Sequence, residues 1–361
     1  MAGQPGFFDA EEGLQALSAA GGPLERLAAA VDFELFRAEL EAALQRSDRA
    51  KGGRPPHDPV LMFRILVLQT PYTLSGEQTE YQLNDRLSFM RFAGLALHEP
   101  VPDAATIWLF REQLVRAGAI ERSFARLDTI LREKGLLAMG GQIIDATVVP
   151  ARPARLTAEE KATIRGGGTP EGWTPARRAQ IDRDGRWTLK RGRRRPPPEG
   201  GAPSKRRAVE IAVPIFGYKS HLGIDRAHGL IRTWTVTHAA AHEGGQLGAL
   251  LDAANTASGV WADTAYRSAV NLDLLARRGR VGHLQRKKPR GKPVPRHVAH
   301  GNARRGKVRA AVEHVFAAQK RRLGLVIRTV GIARARAKIG LANLAYNLTR
   351  FAWLQGRGAP A

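Results

Sequence analysis

Apolar residues recur at steps of three and four through LERLAAAVDFELFRAELEAAL, so residues 8–48 are expected to form two amphipathic helices. KGGRPPHDP at 51–59 has the Gly and Pro content of a linker. Asp58 is placed to cap the next helix, with Pro59 in its first position ahead of VLMFRILVL. Ser75 and Gln78 fit a capping box that opens one helix through SGEQTEYQLNDRLSFMRFAGL, with Leu83, Leu87, Phe89 and Met90 as its buried stripe. Asp103 is the expected N-cap of TIWLFREQLVRAG, and another helix covers 121–134. Residues 1–135 thus read as an all-helical domain.

Beyond Gly140 and Gly141 the period changes. QIIDATVV is a short β-branched run of the kind that makes a buried strand. The segment at about 151–207, which contains WTLKRGRRRPPPEGG, is rich in Pro, Gly and Arg and is expected to be a flexible basic insertion without a core. FGYKSHLGIDRAHGLIRTWTVT gives two extended runs around a hairpin turn at Ala227-His228-Gly229. A helix in HEGGQLGALLDAAN, the strand GVWAD, a helix through NLDLLARRG and the strand VGHLQRK follow. Helices at 304–323 and in LANLAYNLTRFAWL close the chain. Residues 136–361 therefore predict an α/β domain, a sheet flanked by helices.

Composition narrows the chemistry. The 361 residues are 43% apolar and contain no cysteine, which excludes disulfides, Cys-ligated zinc, iron–sulfur clusters and cysteine nucleophiles. No apolar run approaches the roughly 18 residues of a membrane helix, and the acidic start MAGQPGFFDAEEG lacks a signal-peptide pattern. The expected setting is the inside of a cell, as a soluble protein. The net charge of +24 is unevenly laid out. Residues 1–50 hold nine acids and four bases, whereas residues 274–361 hold 22 Lys and Arg and a single carboxylate, Glu313. A nucleic acid is the expected partner for such a surface, because each neutralised phosphate releases counterions.

Three carboxylates stand out. Asp145 follows Ile143 and Ile144 in a strand, Asp263 ends the strand GVWAD, and Glu313 is the lone anion of a basic helix. Each has a plainer reading: a turn cap for Asp145, a helix cap for Asp263, and a surface pair with Arg309 for Glu313. Arg309, Glu313 and Lys320 share one helix face, about a quarter turn from the core face of Val308, Val312, Val315 and Leu323. Three hard oxygen donors on two strands and a helix would suit two Mg²⁺ or Mn²⁺ ions. The rival motifs are weak. His238 and His242 lack the Glu of a zinc helix, the glycines at 166–168 do not form a Walker loop, and no serine elbow is present.

At these residues the chain resembles DDE transposases of the insertion-sequence-five family. QPGFFD, EQTEYQLNDRLSFMRFAGL and PDAATIWLFRE resemble that family's helical N-terminal domain. IIDATVV, VWADTAYRS and RAAVEHVFAAQKRRLG resemble its three carboxylate blocks, the last as R-x3-E-x6-K. FGYKSHLGIDRAHGLI and the stretch from Val236 to Gly244 resemble the hairpin and turn between them. The chain departs from the family pattern at Gly306, where a Tyr is usual, and in THAAAHEG, where Ala240 and Glu243 replace Asn and Asp.

The resemblance implies an RNase H-like catalytic fold with Asp145, Asp263 and Glu313 as catalytic and metal-binding residues. It implies DNA contacts by Arg309 and Lys320, with Arg321 and Arg322 beside them. The insertion adds Lys190, Arg191 and Arg193 as DNA-binding candidates, with Trp173 and Trp187 stacking on unpaired bases. Tyr266 is expected to help place the metal site or the scissile strand, and Trp261 to be core. The implied activity is that of an insertion-sequence transposase, which binds terminal inverted repeats, cleaves DNA and joins 3′-hydroxyl ends to target DNA. A homodimer or larger assembly, and no membrane partner, complete the expectation. A hydrolytic nuclease and an inactive DNA-binding descendant are the alternatives.

Overall fold

The computed structural model describes residues 9–19, 21–44, 55–193, 210–289 and 291–358. Among the described residues the N-terminal region carries helices and no strand. α1 (Asp9–Ala19), α2 (Pro23–Ala30) and the short α3 (Arg37–Glu41), with a 3₁₀ turn at Phe33–Phe36, replace the two helices expected over 8–48. α4 (Pro59–Tyr72) begins where its signals place it: Asp58 accepts from the backbone N–H of Val60 and Leu61, and Pro59 opens the helix. The capping box of Ser75 and Gln78 forms, and Asp103 accepts from Thr106 N–H at 2.6 Å.

The single helix expected from Ser75 onward divides into α5 (Gly76–Asp85) and α6 (Leu87–Ala93). Arg86 takes an extended backbone at the break and lays its guanidinium over Phe89. Beyond the break, Phe89, Met90, Phe92 and Ala93 share one face of α6 and bury it in the core. α7 (Ala104–Ala117) and α8 (Ala119–Glu133) complete the region.

The sheet starts with β1 (Gln142–Pro150), whose neighbours are β3 (Glu210–Asp225), antiparallel, and β5 (Gly259–Ala262), parallel. β4 (Ile231–His238) returns antiparallel to β3 through the turn at 226–229, and β6 (Val281–Leu284) lies parallel to β5. The order β4-β3-β1-β5-β6 puts the antiparallel pairs on one side of β1 and the parallel pairs on the other. This is a mixed sheet flanked by helices, of the RNase H-like kind. The first half of β3 instead pairs with β2 (Arg186–Arg193), extending the sheet into a two-stranded arm. Gly217 sits where β3 changes partner. Its φ is +150°, and a Cβ there would lie 2.3 Å from the carbonyl oxygen of Val149, so a side chain does not fit.

The stretch 151–193 is not the coreless insertion expected. It forms α9 (Ala158–Arg165), α10 (Pro175–Gln180) and β2, and Ile164, Trp173 and Ile181 bury together as a small cluster. Local capping explains the order: Thr157 and Glu160 close a capping box, and Thr174 caps α10 ahead of Pro175. The remainder of the expected insertion, 194–207, lies outside the described residues. Three further helices differ in extent. The one expected in HEGGQLGALLDAAN shrinks to a 3₁₀ turn and α11 (Leu247–Leu250). After α12 (Ala269–Arg277), α13 runs Arg296–Ala317 and ends in a π turn, Ala318–Arg322. The last helix, α14 (Ile332–Gly358), starts well before Leu341.

α14 joins the two regions. Ala337, Leu341, Leu344, Leu348 and Phe351 belong to one core with Phe63, Leu66, Ile120 and Leu127 of the N-terminal helices and with Ile143 and Leu222 of the sheet. The other sheet face buries Ile144, Leu250, Val260, Tyr266 and Leu275. No helix of the described residues is long and apolar enough to cross a membrane.

Candidate active site

Asp145 lies in the middle of β1 on the face that α13 covers. Its neighbours Ile143 and Ile144 are fully buried and hold the strand in place. The residue is 6% exposed. Oδ1 accepts from the backbone N–H of Ala146 at 2.8 Å, and Oδ2 accepts from Arg309 Nη2 at 2.6 Å. Burial pushes its pKa up to about 6 against the opposing pull of Arg309, and the nearby Asp263 adds to the rise.

The parallel register explains that neighbour. Ile143 pairs with Trp261, so two residues on, Asp145 stands level with Asp263 at the end of β5. Asp263 Oδ1 accepts from Ala265 N–H at 2.7 Å and so caps the 3₁₀ turn Thr264–Tyr266. Capping, the plain reading of Asp263, uses one oxygen of its carboxylate.

Glu313 is exposed on α13, one turn beyond Arg309. The expected alternative, a surface pair between the two, does not form. Arg309 instead donates to Asp145 and, through Nη1, to Gln285 Oε1 at 2.9 Å. Lys320, in the π turn, bonds Thr147 Oγ1, two residues along β1 from Asp145. The shared face of Arg309, Glu313 and Lys320 therefore lies along the strand that carries Asp145. Burial, and then the Lys190 ammonium, lower the Lys320 pKa, while Glu313 opposes them. Lys190 of the β2 arm is thus brought to the same edge. Arg321 and Arg322 are exposed in the π turn; the side chains of Arg191 and Arg193 lie outside the described residues.

Two expected contacts are corrected. Tyr266 is fully buried and cannot touch DNA. Its hydroxyl has no hydrogen-bond partner, and burial, followed by the charges of Asp145, Glu243 and Asp263, raises its pKa. Trp173 is also buried, with Nε1 donating to Glu160 at 2.8 Å and Arg177 over its ring, so it does not stack on bases. Trp187 is half exposed against Phe216, and Trp261 packs partly buried against the main core, stacked on His283.

Gln285, at the end of β6, is a member of the site that sequence reasoning missed. Its amide also donates to the Asn302 carbonyl at 3.3 Å. A Cβ on Gly306 would stand 3.4 Å from Gln285 Nε2, so the residue that replaces the usual Tyr leaves the space this amide uses. Glu243, noted only as a departure, pairs with Lys219 at 3.0 Å.

Asp145 and Asp263 offer hard oxygens, and the Tyr266 hydroxyl nearby is buried without a hydrogen-bond partner. That donor set fits a divalent cation. Among the described residues no three His, Cys, Asp or Glu side chains already converge at ion-binding distance.

A helical region followed by an RNase H-like sheet, with Asp145 within β1 and Asp263 just past the end of the parallel β5, defines the class of the molecule. A transposase DDE domain matches residues 137–348 and a transposase domain (DUF772) matches residues 12–113, and the chain belongs to the DDE transposase family. It is a DNA transposase of an insertion element. DDE transposase domains generally use divalent metals. No solved structure matches this chain.

Proposed function

We propose that this transposase acts on the terminal inverted repeats of an element of the insertion-sequence-five type, cutting DNA there and joining the exposed 3′-hydroxyl to target DNA. The observation that carries the reading is the level placement of Asp145 and Asp263 on adjacent strands, with the face of α13 that bears Glu313 along the same strand. Asp145, Asp263 and Glu313 would hold the divalent ions. Such ions activate a water or hydroxyl and stabilise the departing oxyanion in an in-line substitution.

The chain's own residues do the rest. Arg309 neutralises the buried Asp145 and, tied by Gln285, fixes the direction of its free carboxylate lone pairs. Lys320, Lys190, Arg321 and Arg322 present cations along one edge, where they would hold the phosphates flanking the scissile bond. Tyr266 and Ile144 close the site from beneath and keep bulk water from that face. The helical region at 1–135 would recognise the ends, in an assembly of two or more copies that brings two ends together.

Cleavage of duplex carrying the element's ends, and joining of a pre-cleaved end, should both require Mg²⁺ or Mn²⁺. Asp145→Ala, Asp263→Ala and Glu313→Ala should each lower both by about a thousandfold or more, while DNA binding persists. Cleavage without joining would identify a nuclease instead. A wild type as inert as the variants, yet still binding DNA, would overturn the enzymatic reading.

A further inference from the structure

Away from the carboxylates, α7 and α14 enclose a second charged locus. Arg334 places its guanidinium against both oxygens of Glu112, at 2.8–3.0 Å. That fork engages the carboxylate of Glu112, yet Arg111 and Lys338 stand beside it. Neither has an ion-pair partner within 4.0 Å among the described residues. Both are only partly exposed. Arg328 lies within electrostatic reach of Lys338. Burial, then Arg111 and Arg328, lower the Lys338 pKa; burial lowers that of Arg111, with Glu112 opposing and Arg334 adding to it.

Like charges gathered in a half-dry place repel, and folding brings them together only if other terms compensate. The locus also has space. A recess of about 40 Å³ is lined by Arg111, Arg334, Lys338 and Thr329, with Leu66 and Leu341 as its apolar wall and no carboxylate among the lining residues. That is roughly three times the ~10–15 Å³ of such space that one water needs, room for an ion of a few heavy atoms. The Thr329 hydroxyl is buried without a hydrogen-bond partner.

We propose that this recess is an anion site that takes one phosphate-type oxyanion between Arg111, Thr329 and Lys338. The oxyanion would accept from the Arg111 fork, the Lys338 ammonium and the Thr329 hydroxyl, and would cancel the repulsion among the cations. Since Arg111 belongs to the N-terminal helices and Lys338 to the last helix, the anion ties the two regions together. Its source is either a backbone phosphate of bound DNA or free inorganic phosphate. The site stands independently of the catalytic reading, and no readout below uses cleavage.

The test is thermal melting of the full chain in phosphate and in chloride at equal ionic strength, alongside DNA binding as a function of salt. Wild type should melt higher in phosphate. Lys338→Met should melt at the same temperature in both salts, and Arg111→Gln repeats the test should the first variant fail to fold. If the source is DNA, phosphate competes with DNA, and Lys338→Met lowers the slope of log K against log salt by about 1. If the source is free phosphate, that slope is unchanged and only the melting response is lost. A wild type that melts alike in phosphate and chloride, with a DNA salt slope the variants leave unchanged, would overturn the proposal.

Discussion

Two buried aspartates on neighbouring strands have opposite surroundings. Asp225, at the end of β3, is fully buried and saturated: Oδ1 accepts from His228 N–H at 2.6 Å, and Oδ2 from Leu230 N–H at 3.3 Å and from Arg232 Nε at 3.0 Å. Arg232 goes on to Asp128 at 2.8 Å and the Leu136 carbonyl at 2.7 Å, so one guanidinium ties α8 to the sheet. Asp145 has one cation, one backbone N–H, a same-sign neighbour in Asp263 and a raised pKa. The first carboxylate holds the fold together. The second is held by the fold with Arg309 as its one cation, in a state that a further cation would relieve.

Removing the guanidinium from the saturated pair should have the largest effect on stability. Arg232→Met leaves Asp225 buried and unpaired, for which a loss of about 3–5 kcal/mol is expected. Denaturant unfolding measures it, and a loss under about 1 kcal/mol would erase the contrast between the two aspartates.

A pH titration sharpens the comparison on the same strand. His221 is fully buried opposite Ala146, with Nε2 against Thr237 Oγ1, and burial, then Lys219, hold its pKa down at about 4. The unfolded chain takes up this proton near pH 6.5 and the folded chain only near 4. The contribution is therefore whole above 6.5 and is lost as pH falls toward 4, amounting to about 3 kcal/mol. His221→Gln should flatten the stability profile in that window; an unchanged slope would place the imidazole in water.

The smallest effect belongs to Gln285→Ala. It removes one of the two acceptors of Arg309 without touching a carboxylate, and should reduce cleavage by about tenfold, the lower end for a residue that orients a ligand. Full activity would mean that Asp145 alone orients Arg309.

Much of this architecture is legible in the residues, and the exceptions have physical causes. QIIDATVV and GVWAD announce buried strands because nothing polar interrupts them until Asp145 and Asp263, and Asp58, Ser75 and Asp103 announce helix starts because capping is local. The folded part of 151–193 escapes notice because its core is only three residues, scattered among Arg, Gly and Pro. The early start of α14 is hidden by the basic IARARAK, whose charges lie on the faces its alanines and Ile339 leave free. Within the site, the blocks around Asp145, Asp263 and Glu313 are visible along the chain. Gln285 is invisible because its role exists only where β6 ends beside α13, and Tyr266 misleads because adjacency to Asp263 does not disclose that its ring points into the core.

The most direct measurement is the melting temperature of the full chain and of Asp145→Asn, first in chelator and then with Mn²⁺. In chelator the ionised Asp145 costs stability in full above its folded pKa of about 6, so Asp145→Asn should melt higher, by the equivalent of about 3 kcal/mol. Adding Mn²⁺ should raise the wild type and leave the variant unmoved. A wild type indifferent to Mn²⁺, or a variant that gains as much from it, would contradict the assignment of Asp145 to a cation-binding site.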